Sequence, residues 1–126
     1  MPVAHITFGC SDLARAARFY DAVVAEYGGA RMFEHATAIG WSLPDGGPSI
    51  GICHPFDGNP ASFGNGTMIA VMAKDEEQVR RVHAAALAHG GTCEGPPGPR
   101  VNGFYAAYYR DPDGNKMNSF CLPAAE

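Results

Sequence analysis

Tyr105-Ala-Ala-Tyr-Tyr-Arg-Asp-Pro-Asp-Gly-Asn-Lys116 is the stretch that decides how this chain is organised. Its central triplet, Pro112-Asp-Gly114, is a turn signal between two strand-like runs, residues 104–109 and 116–122. The same triplet occurs earlier in the chain, as Pro44-Asp-Gly46, again between two strand-like runs. The repeated turn predicts two similar halves.

A helix is predicted upstream of each turn. Ser11-Asp12 can cap the first helix, apolar residues follow at helical spacing, and Gly28-Gly29 ends it. Asp75 can cap the second, with Gln78 placed as in a capping box and Gly90-Gly91 at the end. When the first segment is aligned with the second, Asp12 falls on Asp75 and Gly28 falls on Gly91.

The remaining strands complete a repeating unit. His5-Ile-Thr-Phe8 and Met68-Ile-Ala-Val71 predict the first strand of each half, and residues 31–34 and 92–94 predict a weakly patterned second strand. The expected fold class is α+β, with two tandem βαββ modules (βαβββ when the second strand is counted) forming a curved mixed sheet around a concave pocket. We expect a single domain of residues 1–126, with module one at 1–54, a linker at 55–66 and module two at 67–123.

Composition excludes several classes of partner. The net charge is −4 and the nine Lys and Arg residues are scattered, which argues against nucleic acid and anionic membranes. No apolar run approaches the roughly 18 residues of a membrane span, and the N-terminus does not resemble a signal peptide. Four cysteines without a C-x-x-C pair predict reduced thiols and a cytoplasmic protein.

Three further segments join the stretch at 105–116 in pointing to a known family. They are His5 to Leu13, Phe19-Tyr20 in the first helix, and Asn65 to Ala70. Together these segments resemble the glyoxalase/bleomycin resistance protein/dioxygenase superfamily, also called vicinal oxygen chelate proteins. The resemblance implies paired modules and, because small members are commonly dimers, a homodimer. It leaves function open among isomerases, dioxygenases, thiol transferases, epimerases and drug-binding proteins.

The resemblance also implies four metal-ligand positions, two on the first strands and two on the last strands of the modules. His5 occupies the first position and is a good ligand, whereas its repeat partner is Met68, a poor one. Asn118 stands where the family usually has Glu.

The fourth of these positions depends on the repeat spacing. A spacing of 68 selects Ile50 and a spacing of 67 selects Gly51. We prefer Gly51, because Ile50 then matches Met117 beneath the helix. Neither residue can bind a metal through its side chain, so we expect no metal cofactor. The alternative is a divalent ion (Zn, Ni, Mn or Fe) at a rearranged site.

Strand alternation predicts which residues line the concave pocket. The third strand of module two contributes either Tyr105 and Tyr109, which we prefer, or the opposite set with Tyr108 and Arg110. Arg100 could meet an anionic substituent of a ligand. The expected ligand-binding residues are His5, Thr7, Trp41, Met68, Ala70, Tyr105, Tyr109, Asn118 and Phe120.

Two functional hypotheses follow. The first is a protein that binds a small, partly aromatic molecule without a metal; drug-binding relatives accept cationic drugs in an acidic cleft, and the net charge of −4 is compatible with that. The second is a metal-dependent lyase, isomerase or dioxygenase, similar to lactoylglutathione lyase, whose rearranged site would use His5, Asn118 and His54 or a tyrosine.

Overall fold

Residues 2–123 are described by the computed structural model, and they form the two expected modules. Module one consists of β1 (His5–Gly9), α1 (Leu13–Glu26), β2 (Ala30–Glu34), β3 (Ala38–Ser42) and β4 (Ser49–Cys53). Module two consists of β5 (Met68–Met72), α2 (Glu76–Ala88), β6 (Thr92–Pro99), β7 (Tyr105–Arg110) and β8 (Lys116–Cys121).

Each module forms one four-stranded mixed sheet, and the two sheets have the same topology. The strand orders are β1-β4-β3-β2 and β5-β8-β7-β6. In each sheet the first and last strands pair in parallel, and the other pairs are antiparallel. The α+β architecture predicted from the repeat is therefore confirmed. The predicted mixed sheet is present as two separate four-stranded sheets, and β1 and β5 each lie at an edge of their own sheet.

The helix starts follow the sequence prediction. The carboxylate of Asp12 accepts a hydrogen bond from the backbone N–H of Arg15 at 3.0 Å, and that of Asp75 accepts one from Gln78 at 2.8 Å. The side chain of Gln78 in turn accepts from the backbone of Lys74, one residue before the cap. These bonds satisfy N–H groups that a helix start leaves unpaired.

At the helix ends, the alignment of the two modules differs by one residue from the predicted one. Gly28 and Gly90, not Gly28 and Gly91, are equivalent, because both have positive φ angles of 83° and 96°. The predicted pairing of Gly28 with Gly91 is wrong because α1 has 14 residues and α2 has 13. The following glycines, Gly29 and Gly91, pack against strand backbone where a Cβ would collide.

The two modules are joined through their helices. The side chain of Gln78 donates to the carbonyl of Glu26 at 2.9 Å, and Arg81 lies 3.4 Å from the Glu26 carboxylate. The rings of Phe19 and Tyr109, from opposite modules, are 6.2 Å apart in the main core. The helix side of both sheets is thereby buried, and the other side is left to form a site.

Candidate functional site

The sheet surfaces that face away from the helices are exposed in part, and together we call them the open face. In β5, Ile69 and Val71 are buried under the helices, whereas Met68 and Met72 are 43% and 58% exposed. β1 alternates in the same way, with His5 and Thr7 exposed and Phe8 buried, and within each sheet the register of the paired strands extends the alternation. The open face comprises His5, Thr7, Ser49, Gly51, Met68, Ala70, Met72, Tyr108, Lys116, Asn118 and Phe120.

Strand register settles the fourth metal-equivalent position. Thr7 pairs with Gly51 in β1 and β4, just as Ala70 pairs with Asn118 in β5 and β8. Ile50 points to the opposite side and belongs to the hydrophobic core, together with Met117. The preference for Gly51 over Ile50 is confirmed.

The donors at the four positions do not fit a divalent metal. Gly51 has no side chain and Met68 offers only a thioether, which hard cations bind poorly. The amide of Asn118 is 4% exposed and donates to the carbonyl of Ala107 at 3.3 Å. His5 is left as the one strong ligand, and its Nδ1 bonds to the hydroxyl of Ser49. Catalytic metal sites use at least three protein ligands. Across residues 2–123, no three His, Cys, Asp or Glu side chains gather as a metal site.

Three aromatic residues expected in the pocket lie on the helix side instead. Trp41 is 1% exposed and its indole N–H donates to Asp21 at 2.8 Å. The hydroxyl of Tyr105 accepts from Arg80 of α2, and Tyr109 is fully buried. Their predicted place in the concave pocket is wrong, because a shift of one residue turns a strand over and burial beneath the helices favours the largest rings.

Tyr108 is the tyrosine of the open face, as the alternative set predicted. It pairs with Asn118 across β7 and β8. The guanidinium of Arg100 lies 5.4 Å from the centre of its ring, and the ammonium of Lys116 lies 5.3 Å from it. Lys116 is not among the residues predicted for the pocket, although it lies two residues before Asn118 on β8 and therefore shares its face. Two cations therefore lie close to the Tyr108 ring.

The far end of the same face is aromatic. Phe120 pairs with Met72 in β5, and its ring centre is 5.4 Å from that of Phe104. The open face of module two therefore changes from cationic at Lys116 to apolar at Phe120 along β8.

A polar cavity of about 180 Å³ lies where β1 meets the start of β8 and the linker. Among the described residues, Lys116 is the charged one in its wall, and hydroxyl groups come from Thr7, Ser62 and Thr67. Phe8, Gly9, Phe63, Gly64 and Asn115 complete the lining. The cavity brings Thr7 of module one and Lys116 of module two to one site.

A larger groove of about 450 Å³ runs between the two sheet edges. Ile6 and Ile50 form one wall, residues 69–74 of β5 and its continuation form the other, and Tyr27 and Gln78 complete the lining on the helix side. The β3–β4 turn contributes Leu43, Pro44, Asp45, Gly47 and Pro48. Its volume is in the range of small-molecule pockets.

The turn between β7 and β8, which belongs to the stretch of residues 105–116 that indicates the family, has a structural role. Asp111 is 3% exposed, and its carboxylate accepts from the backbone of Asp113 and of Asn115 and from the hydroxyl of Tyr20. Desolvation by burial raises the pKa of Asp111, and these hydrogen bonds oppose the rise. The side chain of Asn115 donates to the carbonyl of Gly9 at 3.0 Å. The turn therefore fastens module two to module one.

His54 does not join His5. It lies with Cys10 and residues 58–61 around a separate cavity of about 350 Å³ beside the linker. Strand register pairs His5 with Ser49 and Gly9 with Cys53, the residue before His54, so the two histidines lie at opposite ends of the β1–β4 pair.

Comparison with known proteins agrees with this architecture. Residues 3–118 match the model of the Glyoxalase/Bleomycin resistance protein/Dioxygenase superfamily. The chain belongs to this superfamily. A glyoxalase/bleomycin resistance protein from Albidiferax ferrireducens T118 is 38% identical, with a TM-score of 0.86, over 95% of this chain and 98% of that one.

More distant structures share the fold. A glyoxalase-related enzyme from Fulvimarina pelagi is 25% identical, with a TM-score of 0.79, over 96% of this chain and 88% of that one. A lactoylglutathione lyase from Agrobacterium tumefaciens is 19% identical, with a TM-score of 0.67, over 94% of this chain and 92% of that one. A comparison with curated proteins yields no match. Within residues 2–123, neither helix has the length and apolar character needed to cross a membrane.

Proposed function

We propose that this protein binds a small organic molecule on its open face without the divalent metal of the superfamily. The observation that carries the proposal is the strand register, which puts His5 and Gly51 on the helix-distal side of one sheet and Met68 and Asn118 on the equivalent side of the other. The positions that would surround a metal are present, but one strong donor remains among them.

The surroundings support a ligand with both polar and apolar parts. Phe104 and Phe120 offer apolar aromatic surface, and Asn118 and Lys116 offer polar groups at fixed positions. Pockets for small organic molecules combine mostly apolar walls with a few oriented polar groups.

Thermal unfolding with a panel of amphipathic aromatic compounds tests this function. We expect one or more compounds to raise the melting temperature, with the same shift in the presence of EDTA and of added zinc, nickel, manganese or iron salts. Elemental analysis after dialysis should give metal well below one ion per chain. Stoichiometric metal, together with ligand binding that EDTA abolishes and His5→Ala removes, would favour the metal-dependent lyase, isomerase or dioxygenase instead.

We also propose a homodimer in which a second copy covers the exposed strand edges. Support comes from β1 and β5, which stand at the edges of their sheets, and from Met68 and Met72, whose large apolar side chains are exposed. Open strand edges and exposed apolar side chains favour association. Light scattering should give twice the chain mass of 13.3 kDa. Met72→Lys should shift the protein toward the monomer, and a monomeric parent protein would overturn this part of the proposal.

We further propose that the protein is cytoplasmic and that its partners do not include nucleic acid or membranes. The four free cysteines are compatible with a reducing cytoplasm. The net charge of −4 disfavours nucleic acid and anionic membranes as partners.

A further inference from the structure

The charge of the open face differs in sign from the charge of the whole chain. Around Tyr108 the described part of the chain places the cationic side chains of Arg100, Arg110 and Lys116 and the carboxylate of Glu94. Glu94 is bonded to Arg110, so this pair is locally neutral. Two positive charges are left beside the ring, although the chain as a whole carries −4.

Within residues 2–123, neither of these two cations forms an ion pair with a carboxylate, although the charge of Lys116 helps Arg110 to lower the pKa of Glu94. The guanidinium of Arg100 donates to the carbonyls of Pro96 and Gly98, at 2.7 and 2.8 Å, which hold it in place without cancelling its charge. The ammonium of Lys116 forms no ion pair with a described carboxylate, and it is the charged group in the wall of the 180 Å³ cavity. A half-buried lysine beside three hydroxyl-bearing residues is suited to hold a negative group.

A ligand on the open face is influenced more by charges close to it than by the net charge of the chain. At physiological ionic strength, charges further apart than about 8 Å are largely screened. The ammonium of Lys116 and the guanidinium of Arg100 lie 5.3 and 5.4 Å from the centre of the Tyr108 ring. A ligand in contact with Tyr108 therefore responds to these two cations rather than to carboxylates elsewhere on the surface.

We infer that the ligand of the open face is a small organic anion, with its negative group at Lys116 and an apolar body directed toward Phe120. This inference rests on the proposed function, because it names the class of ligand for the same face. It reverses the expectation that the acidic composition suits a cationic drug. Carboxylates and phosphates share the required chemistry.

The test compares probes that share a naphthalene body and differ in the charge of the attached group. Binding of 2-naphthoate, 2-naphthyl phosphate, neutral 2-naphthamide and cationic 2-naphthylmethylammonium is measured by calorimetry with the full-length chain. At least one of the anions should bind about tenfold or more tightly than the amide and the ammonium, as a charge-assisted contact requires. The anion that binds more tightly distinguishes carboxylate from phosphate, and added salt should weaken its binding.

Two matched variants locate the contact. Lys116→Met keeps the length of the side chain and removes its charge, and it should reduce anion affinity about tenfold while leaving the amide unchanged. Lys74→Met is the control, because Lys74 lines the other groove. Equal binding of all probes, tighter binding of the ammonium, or a loss with Lys74→Met but not with Lys116→Met would overturn the inference while leaving the proposed function intact. If no probe of any charge binds and the compound panel also fails, the proposed function itself is wrong.

Discussion

The hydroxyl of Tyr20 in α1 donates a hydrogen bond of 2.7 Å to Oδ2 of Asp111, the residue that follows β7 in the other module. Both side chains are buried, with exposed fractions of 0% for Tyr20 and 3% for Asp111. The same Oδ2 also accepts from the side chain of Asn115 at 2.8 Å. A polar contact between the modules thus lies inside the core, where losing one partner leaves the other unsatisfied.

Tyr20→Phe should lower the free energy of unfolding by about 2 kcal/mol, because it leaves the buried carboxyl of Asp111 without one of its donors. Urea denaturation measures the loss. Tyr105→Phe is the matched control: its hydroxyl accepts from the half-exposed Arg80, so its removal should change stability little. Equal effects of the two substitutions would show that the contact between Tyr20 and Asp111 does not stabilise the pairing of the modules.

We expect His83 to contribute to the pH dependence of the free energy of unfolding. Burial penalises the imidazolium and lowers the pKa of His83 below its ordinary value of 6.5. Between the two pKa values the unfolded chain binds more protons, so the free energy of unfolding falls as the pH decreases through this window. The slope contributed by one histidine is at most about 1.4 kcal/mol per pH unit.

Urea denaturation at several pH values between 7.5 and 5 checks this slope. His83→Gln should show a smaller fall in stability at low pH than the parent protein. His54→Gln should retain the parent's fall, because His54 is exposed. A slope that is the same in all three proteins would contradict the role assigned to His83.

Gly91→Ala should be destabilising, because a Cβ there would lie 2.7 Å from the carbonyl oxygen of Ala86 and 2.8 Å from that of Arg110. Both atoms are backbone and cannot move aside cheaply, so a loss of about 1–3 kcal/mol is expected. A Cβ at Gly47 meets no described atom within 4 Å, so Gly47→Ala should change stability by less than about 0.5 kcal/mol. Thermal or urea unfolding compares the two variants, and equal stabilities would refute the close approach at Gly91.

The cysteines should differ in reactivity toward iodoacetamide. Cys93 is exposed and should be alkylated in the native protein. Cys10 is buried, and desolvation together with the charge of Asp113 raises its pKa to about 11, so little thiolate forms at pH 8. Mass spectrometry of the alkylated peptides measures the difference, and denaturant should abolish it. Rapid native alkylation of Cys10 would mean that the β1 end of the core opens readily.

The fold could be predicted because its signals are local and occur twice. Pro44-Asp-Gly46 and Pro112-Asp-Gly114 mark the same turn in both modules, and Asp12 and Asp75 cap the same helix. The resemblance to the superfamily implied the metal-ligand positions, and those on the first strands could be matched between the modules because these strands align without gaps. On the last strands, the register then showed that Gly51, and not Ile50, is equivalent to Asn118.

The ligand face could be predicted only in part. Sequence alternation fixes which residues share a side but not which side meets the helices, and so Tyr109 was expected on the open face although it is buried. Arg100 and Lys116 come from separate segments, and only their packing against Tyr108 brings the charges together.

By itself, therefore, the sequence determined the repeated module with its turns and caps, because each follows from residue type and short-range spacing. The resemblance to the superfamily implied that Met68 stands at a metal-ligand position, and strand register selected Gly51 over Ile50 for another. The tertiary structure decided which aromatic rings are buried, that β1 and β5 lie at the sheet edges, and that an acidic chain presents a cationic open face at Lys116. These properties depend on contacts between residues distant in the chain, and burial and charge are set by such contacts rather than by local pattern.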